Sequence, residues 1–188
     1  AYRCAHNPPA PELLDACDRL GMLVLDENRW FESSEEALRQ VEAMVLRDRN
    51  HPSVFAWSVG NEEPLQSEPQ GRRIMARQIA RIRALDGARP ITLALCGGWL
   101  DRQTSDLSDI IGINYYLPYY DYIHAQQPEK LLLGTETCAA GSSRGHYAHQ
   151  PELGLPSAYD LHFGPFSASR RTVWRHLCQR PYAGGEFV

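Results

Sequence analysis

Short apolar runs alternate along this chain with longer stretches in which apolar residues return every third or fourth position. Seven runs read as strands, covering residues 1–5, 23–26, 54–60, 91–95, 110–114, 131–135 and 185–188. Several of them are apolar at consecutive positions, the pattern of a strand covered on both faces. Strands of that kind separated by amphipathic helices predict a parallel sheet built from βα units. Residues 11–20 predict a helix, with Pro11 in the first turn, leucines on one face and Gly21 placed to cap the end. Ser33 with Glu36 predicts a capping box that opens a second helix through Val41, Met44 and Val45. Two more helices are expected over residues 72–85 and 167–179. Residues 138–165, rich in Gly, Ser, His, Pro and Tyr and without a clear period, read as one long loop after a strand.

The expected fold class is therefore α/β, a (β/α)8 TIM barrel. A complete barrel normally takes ~250 residues, and this chain of 188 opens inside one strand and stops inside another. The expectation is an incomplete barrel, lacking its first strand and the end of its last, in a single partial catalytic domain over residues 1–188. No internal repeat or linker divides it.

Composition narrows the partners. A hydrophobic content of 43% supports a sizeable core, and a net charge of -4 with scattered arginines offers no phosphate-binding stripe, so nucleic acid is not an expected partner. No apolar run approaches the ~20 residues of a membrane span, so no membrane partner is expected either. Cys4, Cys17, Cys96, Cys138 and Cys178 are irregularly spaced with no CxxC pair, which predicts buried free thiols rather than a zinc site or a disulfide scaffold. Unpaired thiols point to a reducing, cytoplasmic compartment.

The chemistry concentrates at two strand ends. The apolar run 54–60 stops abruptly in Asn61-Glu62, and the run 131–135 stops in Glu136. Polar residues at the C-terminal ends of barrel strands face the mouth of the barrel, where active sites form. Burying a carboxylate costs several kcal/mol unless partners or a function compensate, so two glutamates closing buried strands stand apart from ordinary surface acids.

These residues carry a family resemblance. Arg3-Cys4-Ala5-His6-Asn7-Pro8-Pro9, Leu20-Gly21-Met22-Leu23-Val24-Leu25-Asp26-Glu27, Arg47-Asp48-Arg49-Asn50-His51-Pro52-Ser53, Trp57-Ser58-Val59-Gly60-Asn61-Glu62, Gly112-Ile113-Asn114-Tyr115-Tyr116, Gly134-Thr135-Glu136-Thr137 and Gly184-Gly185-Glu186-Phe187-Val188 occur in order nearly end to end. Together they make the chain resemble the catalytic domain of glycoside hydrolase family 2, the group of β-galactosidases, β-glucuronidases and β-mannosidases. The resemblance implies a retaining β-glycosidase, in first place a β-galactosidase, acting on a carbohydrate substrate without a cofactor. It implies Glu62 as acid/base and Glu136 as nucleophile in a double displacement. It also implies Tyr116 as the tyrosine that hydrogen-bonds the nucleophile, Asn61 as the residue gripping the sugar 2-hydroxyl, and His6 as a strand-end sugar contact.

Neighbouring strand residues face opposite ways, so Glu63 is assigned to the rim or to support behind the site, and not to a shared site with Glu62. Asp26, Glu27 and Trp30 stand equally for sugar contact or for support behind it, and His51 is expected to tie down the loop before its strand. The aromatics Trp99, Tyr115, Tyr119 and Tyr120 stand equally for sugar stacking and for core packing. Some relatives carry a histidine three positions beyond the nucleophile, where this chain has Ala139, and some hold magnesium through a Glu-x-His motif that is missing after Asp26-Glu27. No obligatory metal is expected. The competing readings are another retaining β-glycosidase, such as a β-glucuronidase or β-mannosidase, and a non-catalytic carbohydrate-binding fragment. Oligomeric state is left open, including a homo-oligomer formed through the full-length protein.

Overall fold

A computed structural model describes residues 1–188, which divide into two compact units, Ala1–Gly112 and Ile113–Val188. The first unit runs β1 (Tyr2–Arg3), α1 (Pro11–Leu20), β2 (Val24–Glu27), α2 (Glu35–Asp48), β3 (Val54–Asn61), α3 (Pro69–Leu85) and β4 (Ile91–Leu95). Strand β5 (Ile110–Asn114) carries the chain into the second unit. Strands β1 to β4 pair in sequence order and all in parallel, with Tyr2 opposite Val24, Asp26 opposite Trp57 and Trp57 opposite Ile91. Parallel pairing puts their C-terminal ends, Arg3, Glu27, Asn61 and Leu95, along one edge, where chemistry gathers in βα folds.

The consecutive apolar positions are explained by burial on both sheet faces. Val24, Leu25, Ala56, Trp57, Val59, Ile91, Leu93, Ala94 and Leu95 lose all contact with solvent, as do Leu14 of α1, Val41 of α2 and Met75 and Ile82 of α3. Each large side chain so buried contributes about 1.5–3 kcal/mol. Gly21 ends α1 in the left-handed region at φ 66°, as its position predicts. Helix α2 differs slightly from expectation: Ser34, not Ser33, is its cap, its hydroxyl accepting from the Ala37 amide at 3.3 Å. The shift sets Glu35 and Glu36 in the first turn, where the helix dipole favours acids. Helix α3 starts at Pro69, three residues before the apolar period becomes visible, because proline in the first turn needs no apolar face to nucleate it.

Asp26 and Glu27 point to opposite faces of β2. Asp26 turns away from the strand-end edge towards Asp48 of α2, fully buried, and neither of its carboxyl oxygens has a hydrogen-bond partner. Burial, reinforced by the neighbouring Asp48 carboxylate, pushes its pKa up to about 8. A carboxyl that is an ordinary acid in the unfolded chain but titrates near 8 when folded leaves the folded state holding the extra proton in between, so stability falls as pH rises through that window. Asp26→Asn removes this ionisation and sets a permanent amide donor beside Asp48. The variant should melt close to the parent at pH 4–5 and roughly 5 °C or more above it at pH 8. Thermal melts across that range check this, and a gap that stays constant with pH would remove the explanation.

In the second unit, β6 (Leu131–Glu136) pairs in parallel with β9 (Ala183–Glu186). Gly134 is required where it stands, because a Cβ there would lie 2.3 Å from the Thr137 methyl and 3.1 Å from the Tyr120 hydroxyl. A 3-10 turn (Leu117–Tyr119) and α4 (Tyr120–Gln126) follow β5, elements that the aromatic-rich segment concealed. Tyr120 is wholly buried and therefore core, not a stacking platform.

The expected loop over 138–165 is not wholly irregular. It holds β7 (Ala140–Gly141) paired antiparallel with β8 (His162–Phe163), and a 3-10 turn at Pro151–Leu153. Helix α5 covers Arg170–Cys178, later than expected, because Ser169 caps it through the Thr172 amide. The last strand lies two residues earlier than its apolar residues suggest. All five cysteines are free, but only Cys4 and Cys17 are buried. Cys96 and Cys138 are partly accessible and Cys178, at the end of α5, is exposed. No helix is long and apolar enough to cross a membrane.

Candidate active site

Strand alternation aims Glu27 to the side opposite Asp26, and there it organises the first unit's polar edge. Its side chain is completely buried, and it accepts from Arg3 Nε at 3.0 Å and Nη2 at 2.9 Å, and from the Ser58 hydroxyl at 2.9 Å. His6 Nδ1 lies 3.0 Å from its other oxygen. A neutral His6 donates that Nδ1 proton to the carboxylate and keeps Nε2 as an acceptor, while its half-exposed ring reaches solvent. Arg3 Nη2 also donates to Asn61 Oδ1 at 2.6 Å. Three strand ends, Arg3, Glu27 and Asn61, are thus tied into one buried network, with His6 just beyond β1. Glu27 supports these neighbours from beneath, which decides between the two roles open to it from sequence.

Beyond Asn61 the strand ends sharply. Glu62 takes a left-handed backbone at φ 50° while its amide donates to the Ala94 carbonyl of β4 at 2.9 Å. That conformation costs a non-glycine residue about 1–2 kcal/mol, strain of the kind that collects at functional sites. Glu63 folds back instead, its Oε1 accepting from the Asn61 amide at 3.1 Å. A side chain at Gly60 would meet that same oxygen at 2.6 Å. Burial raises the Glu63 pKa.

The second unit builds its own cluster around Glu136, half-buried at the end of β6. The Tyr115 hydroxyl donates to Glu136 Oε1. Asn114 Nδ2 stands 3.5 Å from Oε2, and the Thr135 hydroxyl donates to Asn114 Oδ1 at 2.7 Å, which turns that amide nitrogen towards Glu136. Tyr115 and Tyr116 are both left-handed, at φ 56° and 46°. This double turn swings the Tyr115 ring over the nucleophile candidate, edge-on to Phe166 at 5.0 Å. Tyr116, expected from its place two residues after Asn114 to hold Glu136, packs edge-on to Tyr119 at 6.2 Å. The hydroxyl of its neighbour Tyr115, which the resemblance did not single out, also reaches Glu136. Strand periodicity cannot foresee this, because both tyrosines lie beyond the strand in backbone conformations it does not describe.

Asp15, Asp18 and His51 bring one potential ligand atom each within 4.8 Å of one another. Two of the three are already committed: Asp18 bonds His51 Nδ1 at 2.7 Å and the Ser53 amide at 2.9 Å. These contacts tie down the turn that enters β3, at the end of the strand away from Glu62. The residues that sequence reasoning passed over are Arg3, Ser58 and Asn114, and Tyr115 was weighed only for stacking or packing, not as a hydrogen-bond donor to Glu136. The available signal for Arg3 was a charged residue inside an otherwise uncharged predicted strand.

Comparison with known proteins bears on the family and the fold. The family described as "Glycosyl hydrolases family 2, TIM barrel domain" matches residues 1–33 and 29–151. The chain is 33% identical to the β-galactosidase BoGH2A of Bacteroides ovatus over 194 aligned positions, covering 77% of this chain and 22% of that protein. It is 34% identical to the β-glucuronidase of Homo sapiens over 137 positions, covering 67% of this chain and 21% of the relative. It therefore spans about a fifth of the length of these relatives. Among solved structures, a family 2 glycosyl hydrolase from Bacteroides cellulosilyticus superposes over 98% of this chain and 22% of its own, with a TM-score of 0.72 at 28% identity. A β-glycosidase from Bacteroides vulgatus shares the fold, with a TM-score of 0.74 over 98% of this chain and 29% of its own at 24% identity. The strand-by-strand alternation, the barrel descriptor and these likenesses lead to one conclusion: the chain belongs to glycosyl hydrolase family 2, as part of its TIM barrel domain.

Proposed function

We propose that this chain carries both catalytic carboxylates of a retaining β-glycosidase, with Glu136 as nucleophile and Glu62 as acid/base. In the first step Glu136 attacks the anomeric carbon while Glu62 protonates the departing oxygen. In the second Glu62 takes a proton from water, which displaces Glu136 and releases the sugar with its configuration retained. Such a mechanism needs the two carboxyl groups about 5–5.5 Å apart, against about 6.5–9.5 Å for inversion.

The observation that carries this reading is the setting of Glu136. Two donors, Tyr115 and Asn114, converge on a strand-end carboxylate and hold its oxygens in a fixed position, as a nucleophile requires. The strained backbone of Glu62, next to an amide locked by Arg3, supports its assignment as the second carboxylate. Asn61 grips the sugar 2-hydroxyl and His6 contacts the sugar through Nε2. No step calls on a metal or cofactor. A β-galactoside is the preferred substrate class, following the β-galactosidase relative; the β-glucuronidase relatives favour β-glucuronides as the alternative. Comparing kcat/KM on aryl β-galactosides, β-glucuronides and β-mannosides decides among them, and absence of hydrolysis on all three would remove the enzyme reading.

Two conservative variants separate the neighbouring tyrosines. Tyr115→Phe deletes the hydroxyl that donates to Glu136, and kcat should fall by about 10–100-fold, the effect of losing a hydrogen bond to a charged group worth about 1.5–3 kcal/mol. Tyr116→Phe should cost less. Steady-state kinetics of both variants check the assignment, and the reverse order would return the role to Tyr116.

A further inference from the structure

The amide of Asn61 is not free to choose which of its two faces it offers. Its nitrogen and oxygen are interchangeable in shape, and only the neighbours decide which goes where. The neighbour here is Arg3 Nη2 at 2.6 Å. A guanidinium has donors only, so the amide atom against it must be the oxygen. Covalent geometry then turns the amide nitrogen away from Arg3.

Arg3 is itself immobilised. Its side chain is 4% exposed, and Glu27, with 0% exposure, clamps the guanidinium through both Nε and Nη2. Glu27 is held in turn by Ser58 and His6. Every link in this chain of contacts is buried or half-buried and within one compact unit, so the orientation of the amide is set before any ligand arrives. Such preorganisation is what a precise polar contact needs. A lysine could neutralise Glu27 but lacks the planar fork that reaches the carboxylate and the amide together.

We propose that Arg3 is a positioning residue: it fixes the Asn61 amide so that the site meets a sugar hydroxyl with an N–H donor, and so sets the preference for a substrate that carries that hydroxyl. The proposal rests on the reading of Asn61 as the 2-hydroxyl contact. The hydroxyl accepts from Asn61, which leaves its own proton to be donated elsewhere in the site.

The test compares kcat/KM for the aryl β-glycoside that the whole protein hydrolyses best with that for its 2-deoxy analogue, in the parent, Arg3→Lys, Asn61→Ala and the double variant. The parent should favour the 2-hydroxy substrate. Arg3→Lys should lose about tenfold or more of that preference, with the greater loss on the 2-hydroxy substrate, since a mispointed amide leaves a polar group unpaired. Asn61→Ala should remove the preference, and adding Arg3→Lys to it should change the ratio no further. Equal losses on both substrates in Arg3→Lys, or an unchanged ratio, would overturn the proposal. If the parent shows no preference, the Asn61 reading fails first, and that failure is visible before any variant is made. Should Arg3→Lys not fold, Arg3→Met with Glu27→Gln removes both charges together and keeps partners for Ser58 and His6. The same ratio then decides.

Discussion

Glu136→Ala should lose hydrolysis of aryl β-glycosides by about ten-thousand-fold or more in kcat/KM, because it deletes the atom that forms the covalent intermediate. The fold should survive: the side chain is half-buried, and water can reach the Tyr115 hydroxyl it leaves behind. Circular dichroism and the melting temperature of the variant separate loss of chemistry from loss of structure. A more direct measurement uses the parent protein. A 2-fluoro glycoside with a good leaving group should glycosylate one carboxylate and stall there, since the fluorine slows both steps and the activated leaving group restores only the first. Peptide mapping should find the sugar on Glu136. A label on any other residue would reassign the nucleophile, and unchanged hydrolysis by Glu136→Ala would end its role.

Glu62→Gln should behave differently, and the difference is diagnostic. Protonating the departing oxygen matters most when that oxygen is strongly basic, so the loss should depend on the leaving group. For a phenyl or alkyl β-glycoside kcat/KM should drop by about 10²–10⁴-fold, the range of general acid catalysis. For a dinitrophenyl glycoside the first step needs little help and should survive, leaving the second step without its base. A burst of phenolate followed by slow turnover is expected, and azide, a nucleophile that needs no base, should restore turnover and give a glycosyl azide of retained configuration. A loss that is the same for every leaving group would show that Glu62 is not the acid. Glu63 is the control: it turns back to accept from the Asn61 backbone N–H, so Glu63→Gln should not show leaving-group dependence.

These two expectations depend on residues that the chain announces at different strengths. Glu62 and Glu136 are legible because each interrupts an apolar run at its end, and a buried strand does not stop on a carboxylate without cause. The same logic applies to Arg3, which closes β1, and to Glu27, which closes β2, yet neither is identifiable as a network member from its own position. Their meaning lies in each other. A guanidinium at one strand end and a carboxylate at the next become one buried pair only when the strands lie side by side in parallel with the register Arg3 opposite Leu25. Tyr115 and Tyr116 show a sharper limit. Adjacent and chemically alike, they are distinguished only by two successive left-handed residues that aim the first ring at Glu136.

The sequence by itself determined the seven strands of the main sheet, four of the helices, the parallel character of the strands and the two strand-end glutamates, because these follow from local periodicity and from the cost of burying unpartnered charge. Helix α1 starts where expected, but α3 starts three residues early at Pro69, and α2 and α5 start one and three residues late, because the serine or proline that opens each helix, not the apolar period, sets its first turn. Tertiary structure alone decided that Asp26 faces another acid while Glu27 gathers Arg3, His6 and Ser58, and that Arg3 dictates the hydrogen-bonding face of Asn61. Those outcomes arise from contacts between residues distant along the chain, where orientation is set by the register of neighbouring strands and not by the identity of any single residue.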